Sequence, residues 1–318
     1  MSYNKIFFGS PGSGKSHKAQ EYAFGKKQFT ATFHPEFDYN NFVGSYKPLS
    51  IIDNGTNKIT YSFIPQFFLK AYVEAWKNPG EEVVLIVEEI NRGNCAQIFG
   101  DTFQLLDRDD IGFSRYFITV ETEIEAFLKN EFVNSDYDVK LLDLYFLKRG
   151  TRNVNPFSIL LIPSNLTIIA TMNTSDQSLF PMDSAFKRRW QWEYIPINYE
   201  DASAFSLKIA GQNYNLKTFL KAVNEKIYSI TESEDKQIGN RFITSPNNVI
   251  DETEFVNKVM FYLWFDVFKD EDFNHKDYIF KYTEGQNIIP FKFSDLFNEN
   301  KDSVLIGFFD NLGVKPEV

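Results

Sequence analysis

The sequence predicts an α/β fold in which a parallel sheet flanked by helices is followed by a smaller, mainly helical lid. Three observations carry that reading. A glycine-rich loop at residues 9–16 lies between a short apolar run and a stretch free of Pro and Gly. Two apolar runs, 83–87 and 166–171, are continuous rather than alternating, as strands buried on both faces of a parallel sheet are. Beyond Pro196 the alternation of strand and helix gives way to helical spacing. That change puts a domain boundary near residue 197, with a core over 1–197 and a lid over 198–318.

Composition narrows the possible roles. A chain of 318 residues suffices for one large domain or two modest ones, each with its own core. Hydrophobic residues at 43% and charged residues at 24% are those of a soluble globular protein. The net charge of −10 argues against a general nucleic-acid coat, because phosphate contacts need surplus Lys and Arg. A single cysteine, Cys95, excludes an internal disulfide, and with no basic-then-apolar leader the chain reads as cytoplasmic. Apolar runs are far short of the roughly 20 residues that cross a bilayer, which argues against a membrane role. Only His17, His34 and His275 occur, without C-x-x-C or H-E-x-x-H spacing, which argues against zinc. The 34 Phe and 16 Tyr read as core filling, since no run interleaves aromatics with Lys and Arg as a base-stacking platform does.

Gly9-Ser10-Pro11-Gly12-Ser13-Gly14-Lys15-Ser16 fits G-x-x-x-x-G-K-[ST]. Residues 5–8 before it suit a buried strand, and residues 16–24 after it suit a helix, the context such a loop requires. Backbone N–H groups of the loop and the helix N-terminus then face the β- and γ-phosphates of a nucleotide. Lys15 adds positive charge, and the Ser16 hydroxyl takes a Mg²⁺ position.

The remaining elements run in chain order. Residues 28–33 alternate and read as a second strand, and 32–44 as a structured loop rich in aromatic and polar residues. Residues 51–63, turning at Asp53-Asn54-Gly55, predict a hairpin. Phe67, Phe68, Ala71, Tyr72, Ala75 and Trp76 recur at helical spacing until Asn78-Pro79-Gly80 ends the helix. The run 83–87 ends in Glu88-Glu89, at the carboxyl end of a strand, where open α/β sheets place their ligands. One carboxylate there would hold Mg²⁺, directly or through water, and the next would polarise the attacking water. Residues 91–106 predict a helix, and 107–157 an insertion containing a β-prone piece at 116–120 and a helix-like piece at 121–132. The run 166–171 ends in Met172-Asn173-Thr174-Ser175-Asp176, whose Asn and Asp suggest a sensor that fixes the lytic water. A short helix at 181–186, Lys187-Arg188-Arg189-Trp190 and a strand at 191–195 close the core. In the lid, Leu216, Phe219, Leu220, Val223, Ile227 and Ile230 share one helical face, and Phe255, Val256, Val259, Met260, Leu263 and Val267 another. A hairpin at 277–293 and a helical or extended end at 303–309 complete the chain.

With these segments assigned, the chain resembles the AAA+ family, and within it the McrB-like branch, the NTPase subunits of modification-dependent restriction systems. Four blocks carry the resemblance beyond the phosphate loop: Thr32-Phe33-His34-Pro35 running into Tyr39-Asn40-Asn41-Phe42-Val43; Val87-Glu88-Glu89-Ile90-Asn91-Arg92-Gly93-Asn94 followed by Ile98-Phe99-Gly100; 163–178 with its M-N-T-x-D-x-S string; and Phe186-Lys187-Arg188-Arg189-Trp190. A weaker fifth, Lys236-Gln237-Ile238-Gly239, falls in the lid. The matches run from about residue 5 to about 265.

The resemblance implies that Lys15 and Ser16 bind phosphate and Mg²⁺, that Glu88 and Glu89 form the strand-end pair with Glu89 catalytic, and that Asn173 and Asp176 position the water. Arg188 and Arg189 are similar to arginine fingers that reach a neighbouring subunit's nucleotide, and Arg241 to a lid residue contacting the γ-phosphate. Such a finger is worth roughly 10³–10⁵ in rate. The resemblance thereby implies a homo-oligomeric, hexameric ring that hydrolyses ATP or GTP and drives a separate McrC-like nuclease subunit, meeting DNA only through the complex. Two departures stand out. Glu88 occupies a position where the family normally has Asp, and Mg²⁺ tolerates little geometric error, which points to slow hydrolysis. The chain also begins at its first strand, and the expectation is that it lacks the N-terminal DNA-reading domain of well-known members and does not recognise modified bases alone. Two other readings remain: a dynein-related or MoxR-like ATPase remodelling a protein client, and a module in which nucleotide only holds subunits together.

Overall fold

The computed structural model describes residues 4–53, 55–133, 155–175, 180–269, 279–285 and 287–317. The chain forms two compact units, one of residues 1–8, 16–172 and 177–193, the other of 9–15, 173–176 and 194–318.

The first unit is built on a sheet. The chain runs through β1 (Asn4–Gly9), α1 (Lys15–Ala23), β2 (Lys27–Thr32), α2 (Tyr39–Phe42), a ribbon of β3 (Gly44–Asp53) and β4 (Thr56–Pro65), α3 (Phe67–Lys77) and β5 (Val83–Glu88). After α4 (Cys95–Phe99) come β6 (Ile118–Thr119), α5 (Thr122–Val133), β7 (Ile159–Leu160), β8 (Leu166–Asn173) and β9 (Gln191–Tyr194). Five strands pair in the order β2-β5-β8-β1-β9. β5 runs parallel to both neighbours, with Val83 opposite Lys27 on one side and Leu166 on the other. Every residue from Val83 to Val87 is fully buried, which is why that run carries no polar alternation. The order also skips: β2, next to β1 in sequence, lies beyond β8 and β5. A reversal of this kind opens the crevice in which doubly wound sheets bind ligands.

Helix α3 buries Phe68, Leu69, Ala71, Tyr72, Val73, Ala75 and Trp76, and Trp76 Nε1 donates to the Leu161 carbonyl at 3.2 Å. The aromatic load concentrates around Phe99, whose ring lies 4.8 Å from Phe42, 5.3 Å from Phe186, 6.1 Å from Phe33 and 6.3 Å from Trp190. The hairpin expected at 51–63 is present but longer, with ten-residue strands paired from Gly44–Pro65 to Asp53–Thr56. The helix expected over 91–106 is corrected: it is three pieces, a 3₁₀ turn at Ile90–Arg92, α4, and a 3₁₀ segment at Gly100–Leu106. Gly93 is extended, Asn94 caps α4 by accepting the Gln97 N–H, and Gly100 turns left-handed at φ +48°, so no single helix can run through.

The second unit adds strands to the expected helices. β10 (Ser206–Ile209) pairs antiparallel with β11 (Gln212–Asn215) and parallel with β12 (Val249–Asp251). A second hairpin joins β13 (Lys281–Glu284) to β14 (Asn287–Pro290). Three- and four-residue strands leave too few residues for a period to show in sequence. The helix Leu216–Thr231 buries Leu216, Phe219, Leu220, Val223, Asn224 and Ile227, and packs with the helix Lys301–Asn311 through Phe219 and Phe309, rings 5.2 Å apart. The apolar face expected at 255–267 is buried, but after Glu252–Phe255 its turns are π-helical at Val256–Met260 and Leu263–Val267. Among the described residues no helix is long and apolar enough to cross a membrane.

Candidate nucleotide-binding site

In the first unit, the start of α1 meets the end of β5. Ser16 donates from Oγ to Glu88 Oε2 at 2.8 Å, across 72 residues of chain. The same Oε2 accepts the hydroxyl of Thr171 on β8, and Thr171 Oγ1 in turn accepts the backbone N–H of Glu89 at 3.2 Å. Glu89 leaves the strand left-handed, at φ 56° and ψ 47°, which for a residue with a Cβ costs on the order of 1 kcal/mol. The two strand-end acids therefore diverge by backbone conformation as well as by sequence. The oxygen donors suit Mg²⁺, which is held through one or two carboxylates plus substrate phosphates. Among the described residues no cluster of three or more His, Cys, Asp or Glu is placed to hold a metal, so an ion here would rely on Ser16, Glu88 and the nucleotide's own oxygens.

In the second unit, the loop 9–15 is packed by the lid segment that follows Glu234. Gly239 donates its N–H to Pro11 O at 2.9 Å, Arg241 donates its N–H to Gly12 O at 2.8 Å, and Ser10 Oγ donates to Glu234 O at 2.9 Å. A Cβ on Gly239 would lie 2.1 Å from the Gly12 carbonyl carbon, so only glycine allows this approach. A Cβ on Gly12, at φ +74°, would lie 2.4 Å from the Phe242 backbone nitrogen. Asn224 holds the segment from the other side: its Oδ1 accepts the Ile238 N–H at 2.7 Å, and its Nδ2 donates to Ile238 O at 2.9 Å. Buried Lys15 donates from Nζ to Gly9 O at 3.0 Å and Ser10 O at 2.8 Å. The hydroxyls of Ser13 and Thr174 are buried with no hydrogen-bond partner. An unmatched buried hydroxyl costs about 1–3 kcal/mol, and a phosphate oxygen is the acceptor that would satisfy Ser13. The loop thus fits the group its sequence implies.

The other predicted residues are distributed between the two units. Asn173 ends β8, and the Thr174 N–H beyond it donates to Gly9 O at 3.5 Å. Asp176 lies outside the described residues. Arg241 is half-exposed, 4.0 Å from Asp201, with its Cδ 3.4 Å from where a Cβ on Gly14 would stand. Arg188 and Arg189 come after the short helix Ser184–Lys187 in the first unit, and the structure does not treat them alike. Arg188 is exposed. The Arg189 side chain is 8% exposed, ion-paired to Asp107 at 2.7 Å, donating to Ala185 O at 2.8 Å and lying 4.0 Å over the Phe103 ring. Beside it, burial lowers the pKa of Arg108 to about 9, and its guanidinium donates to the carbonyls of Gly112, Pro163 and Leu166. The sequence reading missed Thr171, counted there within an apolar strand. The signal available was its hydroxyl, two residues before Asn173.

Residues 4–190 match the AAA domain of the dynein-related subfamily. The chain belongs to the dynein-related AAA family. Within that family it is similar to the "Type II restriction enzyme BsuMI component YdiS" of Bacillus subtilis (strain 168), 32% identical over 92% of this chain and 89% of the relative. It is also similar to the "Type IV methyl-directed restriction enzyme EcoKMcrB subunit" of Escherichia coli (strain K12), 26% identical over 62% of this chain and 36% of that protein. These relatives place this AAA chain in the McrB-like branch.

Proposed function

We propose that this AAA chain hydrolyses a nucleoside triphosphate, ATP or GTP, with Mg²⁺, as the ring-forming motor subunit of a restriction complex whose nuclease is a separate McrC-like protein. The observation that carries the reading is the bond between Ser16 and Glu88, which joins the end of the phosphate loop to the strand-end acid. Both named relatives are components of restriction enzymes, which supports a division of labour between subunits.

Mg²⁺, when bound, would neutralise charge on the phosphate oxygens of the nucleotide. Ser16 and Glu88 would hold the ion. With its proton committed to Glu88, the Ser16 oxygen keeps its lone pairs for a cation. Lys15, the adjacent residue, exchanges carbonyl partners for the more strongly accepting phosphate oxygens. Glu89 takes the proton of the attacking water, Asn173 and Asp176 orient that water, and Arg241 contacts the γ-phosphate. Arg188 is the finger offered to the neighbouring subunit, because its partner Arg189 is held within its own chain.

Mixing two inactive proteins tests the shared site. Lys15→Ala and Arg188→Ala, combined in equal amounts, regain about a quarter of wild-type turnover, the share of interfaces that unite an intact lysine with an intact finger. A mixture no more active than its separate parts rejects the shared pocket. The reading of a nucleotide-held assembly module rests on Glu88, and brisk turnover by the wild-type protein removes it.

A further inference from the structure

We infer that Thr171 is the positioning residue for both strand-end acids, and that its hydroxyl is what lets a glutamate serve at position 88. The inference rests on the nucleotide-hydrolase reading and adds a residue to it.

A hydroxyl has one proton and two lone pairs. The backbone N–H of Glu89 can only donate, so it occupies a lone pair of Thr171 Oγ1, at 3.2 Å. Glu88 Oε2 accepts the hydroxyl, so the Thr171 proton is directed at it. No freedom is left in the rotor: one buried side chain, 1% exposed, fixes the left-handed turn of Glu89 through its backbone and the carboxylate of Glu88 through its Oε2. Ser16 donates to that same Oε2. Hydrogen bonds to an ionised acceptor are roughly twice as strong as neutral ones, and two of them converge on one oxygen. They offset the rotamer freedom that a glutamate has beyond an aspartate. Packing alone does not account for the residue, because valine has the same shape and brings no hydroxyl to satisfy.

The arrangement also explains the longer acid. An aspartate at 88 withdraws the carboxylate by about 1.5 Å, one carbon–carbon bond, which takes the 2.8 Å contact with Ser16 out of hydrogen-bond range. Thr171 and Glu88 therefore act as a matched pair.

The test uses the full chain as Thr171→Val, Thr171→Ser, Glu88→Asp and the double variant Glu88→Asp/Thr171→Val. Turnover, the Mg²⁺ concentration for half-maximal turnover, and binding of fluorescent ATP and GTP analogues in EDTA are measured for each. Expected for Thr171→Val is a loss of about 10–100-fold in kcat with a raised Mg²⁺ requirement, and metal-free nucleotide binding close to wild type. Thr171→Ser, which keeps the hydroxyl, recovers most of the loss. In the Glu88→Asp background Thr171→Val costs less in kcat than it does in the wild-type background, because the bond to the residue-88 carboxylate is already lost and only the bond to the Glu89 N–H remains to be removed. Wild-type kcat and Mg²⁺ requirement in Thr171→Val overturn the inference. So does a Thr171→Ser protein as impaired as Thr171→Val, or a double variant in which the two losses multiply. A wild-type protein that neither binds nor hydrolyses ATP or GTP defeats the hydrolase reading and this one with it, whereas an active wild type with an indifferent Thr171 defeats this one alone.

Discussion

Around Arg189 the guanidinium has three kinds of neighbour: the Asp107 carboxylate at 2.7 Å, the Ala185 carbonyl at 2.8 Å and the face of Phe103 at 4.0 Å. Removing one partner of a buried ion pair leaves the other charge stranded, which costs about 3 kcal/mol or more when burial is complete. Asp107 remains 26% exposed, so Arg189→Ala sits at the low end, about 3 kcal/mol. Arg188→Ala, on the surface, stays within about 0.5 kcal/mol of wild type. Urea unfolding of the two variants measures the contrast, and equal midpoints count against the assignment of brace and finger. Cys95 shows the same dependence on surroundings: burial pushes its thiol up to about 12, so the one cysteine is a packing residue and not a nucleophile. The sequence supplies the identity of such residues, but their work depends on what folds over them.

Among the elements, the ribbon β3–β4 and the turn β10–β11 were legible to different degrees. Asn54-Gly55 between β-prone pieces announces the ribbon, and Gly55 is left-handed at φ +78°. Its length was not legible, because the outer half of the ribbon is exposed and carries no burial period, with Ile52 79% and Ile59 75% accessible. The base is anchored instead, with the Phe63 ring 5.5 Å from Phe127. Between β10 and β11, Ala210 and Gly211 both have positive φ, 48° and 76°, the pattern of a type I′ hairpin turn. Ala210 is strained there, and its N–H is held by Glu252 Oε2 at 2.8 Å. Burial favours the neutral form of Glu252, but the hydrogen bonds from Lys301 and this N–H outweigh it and lower its pKa. Asparagine suits the left-handed position and keeps the N–H. Ala210→Asn is therefore expected to stabilise the protein by about 0.5–1 kcal/mol, read as a higher urea midpoint; a lower midpoint means the turn is not limiting.

For the whole molecule the leading question is assembly. Size-exclusion chromatography with light scattering, run with Mg²⁺ and either ATP or GTP, is expected to show a particle of about six subunits for the wild-type chain, and no such shift for Lys15→Ala. The nucleotide that produces the shift identifies the base, and a mass indifferent to both nucleotides speaks against a ring. Sequence by itself determined the α/β class, the glycine-rich loop at 9–16 and the acids closing the 83–87 run, because each is written in consecutive residues whose period or spacing is local. Only the tertiary structure decided that Thr171 bridges two acids more than 80 residues away, that Gly239 must be glycine to lie against Gly12, and that Arg189 is a brace while Arg188 is open. Those facts arise where distant segments are brought within hydrogen-bond reach, and no local pattern records which residues will meet.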